Sequence, residues 1–234
     1  MSDNATRARS DEIPETEDFY SVLLSMAGHD LRSRLQVITS AHRLLEKRLD
    51  GTDKLYLEHG QIAASQLSRQ LEGILEAFRL YQSNHVVLSA VALAPVLRAV
   101  EREGGVLARH KSIDFEVEPA DVRVCSNAIL LASILRNLVE NALKYTPPDG
   151  RVVVSCHRSA SSVRIDVTDT GIGIAAEHLP RVFDAFYRGE GDHAEGVGLG
   201  LFIAKRAARL LHHHLEVSSQ PGHGSRFSLV AELA

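Results

Sequence analysis

ILRNLVENALKYT, residues Ile134 to Thr146, is the stretch whose reading decides the fold. Leu135, Leu138, Val139 and Ala142 recur at helical spacing and make one apolar face. Asn137, Asn141 and Lys144 lie three to four residues apart and share the other face. An asparagine oxygen is a hard ligand suited to Mg2+, and a lysine beside it suits a phosphate. A solvated polar face would also use these residue types, so the stretch gains meaning only from its neighbours.

Those neighbours are two glycine-rich segments. DTGIGI (Asp169 to Ile174) follows an apolar run, and its glycines let the backbone approach a ligand closely. A carboxylate at the head of such a loop can accept a hydrogen bond from an exocyclic amine such as that of adenine; a tight turn is the plainer reading of DTG alone. GVGLGL (Gly196 to Leu201) opens a helical stretch and fits a loop that presents N–H groups to phosphates. Arg188 to Gly198, just before it, is polar and glycine-rich, as a mobile lid would be.

Between and around these segments, short β-rich runs alternate with helical ones. The β-rich runs are Ile113–Val117, Val152–Cys156, Val163–Thr168, Leu215–Ser218 and Ser225–Val230. The helical stretches are Pro95–Arg109, Asn127–Tyr145 and Leu199–Leu211, with Pro95 suited to a first turn. The mixture predicts an α+β sandwich over residues 84–234 rather than a parallel sheet.

Upstream the period is purely helical. From Phe19 to Leu49 the only Gly or Pro is Gly28, and Leu24, Ala27, Leu31, Leu35, Ile38, Leu45 and Leu49 form a stripe. At ~1.5 Å per residue this helix is roughly 46 Å long. Asp50 to Asp53 (DGTD) signals a turn, and Leu67, Leu71, Ile74, Phe78 and Tyr81 form a second stripe. One helical hairpin over residues 19–83 cannot cover both stripes, whereas two can pair as a four-helix bundle, so a homodimer is expected. The first helix carries HDLRSRL (His29 to Leu35). Asp30 beside His29 could fix the imidazole tautomer and raise its nucleophilicity, although a lone helical histidine more often has no chemistry.

Composition sets the outer bounds. The 234 residues suffice for one or two domains, with 44% apolar and 24% charged residues. The net charge of −4 is accounted for by residues 1–18, which carry six acids against two arginines and read as a disordered acidic tail. The balanced remainder argues against a nucleic-acid partner. Apolar runs such as Ala90 to Leu97 fall far short of the ~18 residues of a membrane span, and no signal-peptide pattern is present. Cys125 and Cys156 make no metal pattern and read as reduced thiols, which predicts a cytoplasmic location. In His212–His214 consecutive rings would point apart, which suits a loop between helix and strand better than a metal site.

Taken in order, the segments resemble the sensor histidine kinases, which join a dimerisation and phospho-acceptor helical hairpin to a Bergerat-fold ATP-binding domain. HDLRSRL looks like the H box, NLVENALKYT the N box, DTGIGI and GVGLGL the two glycine boxes, FDAFYRG (Phe183 to Gly189) the F box, and PGHGSRFSL the turn before the last strand. The resemblance covers roughly residues 19–232. It implies an ATP-dependent autokinase of a two-component system, with His29 as phospho-acceptor, Asp30 as its acid/base partner, and transfer onward to the aspartate of a response-regulator receiver domain. It implies that Asn141 ligates Mg2+, Asn137 supports the phosphates, Lys144 contacts phosphate and Tyr145 packs near the adenine. Asp169 would bond the adenine amine with help from Gly171 and Gly173, while Gly196, Gly198 and Gly200 would form a lid hinge. Arg188 is the candidate for neutralising charge at the γ-phosphate.

Ser33, one turn after His29, matches a position that orients water for dephosphorylating the partner; an exposed helix serine fits equally well. Two departures stand out. Arg34 replaces the usual proline, so the helix is expected to be straighter. Ser126 or Asn127 replaces the usual acid ahead of the N-box helix. With no sensory segment, input is expected from a separate protein. The competing reading is a phosphotransfer or binding scaffold with an inactive or partner-gated ATP domain; a serine kinase or plain ATPase on the same fold would not need the hairpin.

Overall fold

The computed structural model describes residues 37, 38, 73, 74, 76, 80, 86–189 and 197–234. His29, Asp30, Ser33, Arg34 and Gly196 lie outside the described residues, as does most of the expected hairpin. Two compact units divide the chain after Ile74, and the second, Leu75–Ala234, holds the sheet and its helices.

Strand β1 (Ser89–Ala92) leads into helix α1 (Leu93–Lys111), followed by β2 (Asp114–Val117), β3 (Arg123–Ser126) and helix α2 (Ala128–Tyr145). Strands β4 (Arg151–Arg158) and β5 (Ser162–Asp169) form a hairpin; helix α3 (Gly200–Leu210) and strands β6 (His214–Ser219) and β7 (Ser225–Glu232) complete the unit. The five-stranded sheet runs β2-β4-β5-β7-β6, and β1 and β3 form a separate antiparallel pair. The expected sandwich is therefore present, but with a mixed sheet: β2 and β4 are parallel, joined through β3 and the crossover helix α2, while the other neighbours are antiparallel. Reading by period missed β1 and β3, four residues each, which are too short to show alternation.

The sheet buries one face under the helices. On β5, Val163, Ile165, Val167 and Asp169 alternate inward with Arg164 and Thr168, which are exposed. Val152, Val154, Phe227, Leu229 and Ala231 extend that inner face, against Leu131, Ile134, Leu135, Leu138 and Leu143 of α2. Asp166 breaks the alternation, buried on the outer side where its Oδ2 takes Arg164 Nε at 3.0 Å and lies 3.4 Å from His157 Nε2. Among the described residues, no helix is long and apolar enough to cross a membrane.

Local chemistry fixes where α2 starts and stops. Asn127 is its N-cap, accepting from the N–H groups of Ile129 and Leu130 at 3.1 and 3.3 Å. At the other end Thr146 Oγ1 donates to the Ala142 carbonyl, and Pro147 and Pro148 forbid continuation. Lys111, the last residue of α1, reaches across and donates to the carbonyls of Leu143, Lys144 and Thr146 at 2.6, 2.9 and 3.2 Å. One ammonium thus satisfies three terminal acceptors and faces the negative end of the helix dipole. Burial pushes its pKa below the ordinary lysine value.

Each of the other two helices ends on a left-handed residue. Ser112 (φ 57°) follows α1 and His212 (φ 58°) follows α3; in each case the next N–H bonds back five residues, Ile113 to Ala108 and His213 to Ala208. In the histidine run, His212 is thus the exposed turn residue and His214 the first residue of β6. His213 is buried, and its Nε2 lies 2.9 Å from Ser126 Oγ. Burial lowers its pKa to about 4, so the ring is neutral at physiological pH and pairs with the Ser126 hydroxyl just ahead of α2.

Lys111→Met keeps the aliphatic stem and removes the three charge-assisted bonds. It should lower the free energy of unfolding by about 2 kcal/mol in denaturant titration; an unchanged midpoint would show that the lysine does not hold α2.

Candidate functional site

The strand β5 ends at Asp169, whose buried carboxylate faces the loop that follows. Its Oδ1 accepts from the N–H groups of Gly171 at 2.8 Å and Ser225 at 3.2 Å. Burial raises the Asp169 pKa from the ordinary carboxylate value, and those two backbone bonds oppose the rise. With Oδ1 held by the backbone, the second oxygen keeps its acceptor capacity for a ligand.

Close approach explains the glycines. A Cβ on Gly171 would come within 2.5 Å of the Tyr145 carbonyl oxygen, which lies at the end of α2. Gly173 has φ 70°, and a Cβ there would collide with the Gln220 carbonyl. The loop is tied to the β6–β7 turn from that side: Gly222 N–H donates to the Ile172 carbonyl at 2.8 Å, and Ile174 N–H to Ser219 Oγ at 2.8 Å. Ser219 Oγ donates in turn to the Gly224 carbonyl at 2.7 Å. Gly224 itself (φ 82°) sits so close to the Asp169 carbonyl that any side chain there would clash. Ser219, Gly224 and Ser225 were not among the candidates read from sequence, although PGHGS is a turn signal whose second glycine marks the contact.

Helix α2 supplies the second wall. Asn137, Asn141, Lys144 and Tyr145 are all half-buried along it. Lys144 Nζ lies 4.7 Å from the centre of the Tyr145 ring. Asn137 Nδ2 donates to the Ser133 carbonyl at 2.9 Å, and its Oδ1 lies 3.0 Å from where a Cβ of Gly200 would stand. The start of α3 therefore abuts the asparagine stripe, and its N-terminus has no side-chain cap. So Asp169, Gly171, Gly173 and Tyr145 come together at one end, and Asn137 and Gly200 at the other, with α2 between them.

The F-box segment holds the base of the second glycine segment. Phe186 has φ 63° and donates its N–H to the Gly198 carbonyl at 3.0 Å, while Gly198 (φ 77°) is pressed against the Phe186 backbone. Tyr187 Oη and His178 Nδ1 are 2.7 Å apart, and the Arg181 guanidinium lies 4.4 Å from the Tyr187 ring centre. Arg188 follows, exposed.

A Mg2+ ion fits this donor set in one way. Among the described residues no group of three or more His, Cys, Asp or Glu could form a protein cage. Asn141, half-buried on this face of α2, would offer such an ion one hard amide oxygen.

Residues 126–234 match the family described as histidine kinase-, DNA gyrase B-, and HSP90-like ATPase. The sensor histidine kinase AtsR of Burkholderia thailandensis is 32% identical over 235 residues, covering 96% of this chain and 39% of AtsR. The adaptive-response sensory kinase SasA of Crocosphaera subtropica is 31% identical over 242 residues, covering 97% of this chain and 63% of SasA. The chain thus spans less than two thirds of the length of these curated relatives. Among solved structures, full-length ShkA in complex with AMPPNP is similar at 26% identity and a TM-score of 0.67, over 92% of this chain and 46% of ShkA. The nucleotide-site family is thus matched over just under half of this chain, and sensor histidine kinases are similar to it over nearly all of its length.

Proposed function

We propose that the protein is an ATP-dependent protein-histidine autokinase of a two-component system. The observation that carries the reading is the backbone-held carboxylate of Asp169, whose loop abuts the Tyr145 end of α2, the helix that carries Asn137, Asn141 and Lys144. A hydrogen-bond acceptor at one end and amide and ammonium groups along the wall complement an adenine and a polyphosphate respectively. The AMPPNP complex of ShkA supports the same nucleotide class.

In this reading Asp169 accepts from the adenine amine and Tyr145 packs beside the ring. Lys144 and Asn137 hold phosphate oxygens, Arg188 neutralises charge at the γ-phosphate, and Gly196, Gly198 and Gly200 let the loop close. Asn141 is the protein ligand of Mg2+, which supplies charge neutralisation on the phosphates. Positioning and charge balance then provide most of the catalysis. A ring nitrogen of His29 attacks the γ-phosphorus, the bond to the ADP oxygen breaks, and Asp30 holds the proton on the other nitrogen. The phosphoryl group passes next to a receiver-domain aspartate, and Ser33 orients water for the reverse, phosphatase reaction. The domain plan is a tail over 1–18, a dimerising hairpin over 19–83 and the catalytic domain over 84–234. The setting is a cytoplasmic homodimer.

Incubated with Mg2+ and γ-labelled ATP, the protein should take up label that is lost in acid, survives alkali and is absent from His29→Ala. Acid-stable label, or label retained in the variant, would contradict the reading. Asp169→Asn separates binding from folding. The amide oxygen can still accept from Gly171 and Ser225, so the loop keeps its shape. Because burial raises the Asp169 pKa, ionising this group costs the folded state stability above the ordinary carboxylate pKa, and the neutral amide escapes that cost. The variant should therefore unfold no more easily than wild type at neutral pH, yet bind ATP about tenfold more weakly or worse. Weaker folding with unchanged affinity would contradict it.

A further inference from the structure

Two helical residues at the start of the second unit, Glu76 and Leu80, touch α2 and α3. Glu76 and Leu80 are both helical and four residues apart in the sequence. Glu76 Oε1 accepts a short hydrogen bond from Ser133 Oγ on α2. The Leu80 carbonyl accepts from Arg206 Nε on α3 at 3.1 Å, with the Leu80 side chain buried. These two positions are thus fastened to α2 and α3, the helices that meet at Asn137.

Ser133 is the link. It lies four residues before Asn137 on the same face of α2, and it is buried, 3% exposed. Its carbonyl takes Asn137 Nδ2 at 2.9 Å, and its Oγ lies 3.5 Å from the same nitrogen. The amide of Asn137 is thereby held with nitrogen toward Ser133 and oxygen toward Gly200. The opposite flip would set its oxygen against the Ser133 carbonyl, two acceptors facing each other. A carboxylate that accepts the serine proton polarises the hydroxyl and makes its oxygen a better acceptor for Asn137. One N–H of the amide stays committed to Ser133, and the other remains available to a ligand.

The geometry points to Glu76 and Ser133 as positioning residues that fix the side-chain orientation of Asn137, so that the placement of the incoming helix sets how tightly the nucleotide phosphates are held. This rests on the nucleotide reading of the cleft. Displacing the helix would break the Glu76–Ser133 bond, free the asparagine to flip and weaken phosphate binding without altering any group that touches the nucleotide. Neither residue belongs to a motif read from the sequence, because the contact joins positions 57 residues apart.

The test is calorimetric titration of the full chain with Mg-ATP, with thermal unfolding measured in parallel, for wild type, Glu76→Ala, Glu76→Gln, Ser133→Ala and the Glu76→Ala/Ser133→Ala double variant. Each alanine variant should weaken binding by about three- to tenfold. Gln, which keeps an acceptor oxygen, should stay close to wild type, and the double variant should bind no more weakly than Ser133→Ala alone. Lower melting temperatures with unchanged affinity would make the contact purely structural and overturn the proposal, as would fully additive losses. Failure of the wild type to bind Mg-ATP would instead overturn the nucleotide reading, and this coupling with it.

Discussion

A single carboxylate oxygen organises the cleft. Asp169 Oδ1 is buried, and burial is tolerable for it only because two backbone N–H groups, from Gly171 and Ser225, point at it. Those donors come from different places, one from the loop after β5 and one from the start of β7, so the carboxylate sets the spacing between them. Bringing the β6–β7 turn that close requires Gly224 to lie on the Asp169 carbonyl and Gly173 on that of Gln220. The glycines therefore follow from the carboxylate: each removes a side chain where two backbones meet.

The other wall depends on how α2 is held. As the crossover helix between parallel strands β2 and β4, it lies flat on the sheet with its apolar face buried, which leaves one polar stripe for chemistry. Asn127 fixes its first turn, and Lys111 and Thr146 fix its last. A slip by one residue would rotate Asn137 and Asn141 by about 100° and take them off the wall. Stability and site geometry are thus the same constraint viewed from the two faces of one helix.

Much of this was readable in the sequence because it is local. The stripe Asn137–Asn141–Lys144 is a matter of helical period, and the strands around Val154, Ile165 and Leu229 alternate or run apolar over enough residues to be seen. What escaped is long-range. The parallel pairing of β2 with β4 depends on topology, and the four-residue β1 and β3 carry no periodic signal. Consecutive histidines suit a loop, and His212 is a turn residue, but burial of His213 against Ser126 is set by a partner 87 residues away. Lys111 belongs to no sequence motif, and its role as a cap for another helix is visible only in three dimensions. His29, Asp30 and Ser33 lie outside the described residues, and their reading rests on resemblance alone.

The most direct measurement of the central claim is a comparison of Mg-ATP with Mg-GTP by calorimetric titration of the full chain. A buried carboxylate that accepts from an exocyclic amine favours adenine, because guanine presents a carbonyl oxygen at that position and would leave two acceptors opposed. The account predicts ATP binding tighter than GTP by about tenfold or more. Equal affinity for the two nucleotides would contradict the role given to Asp169.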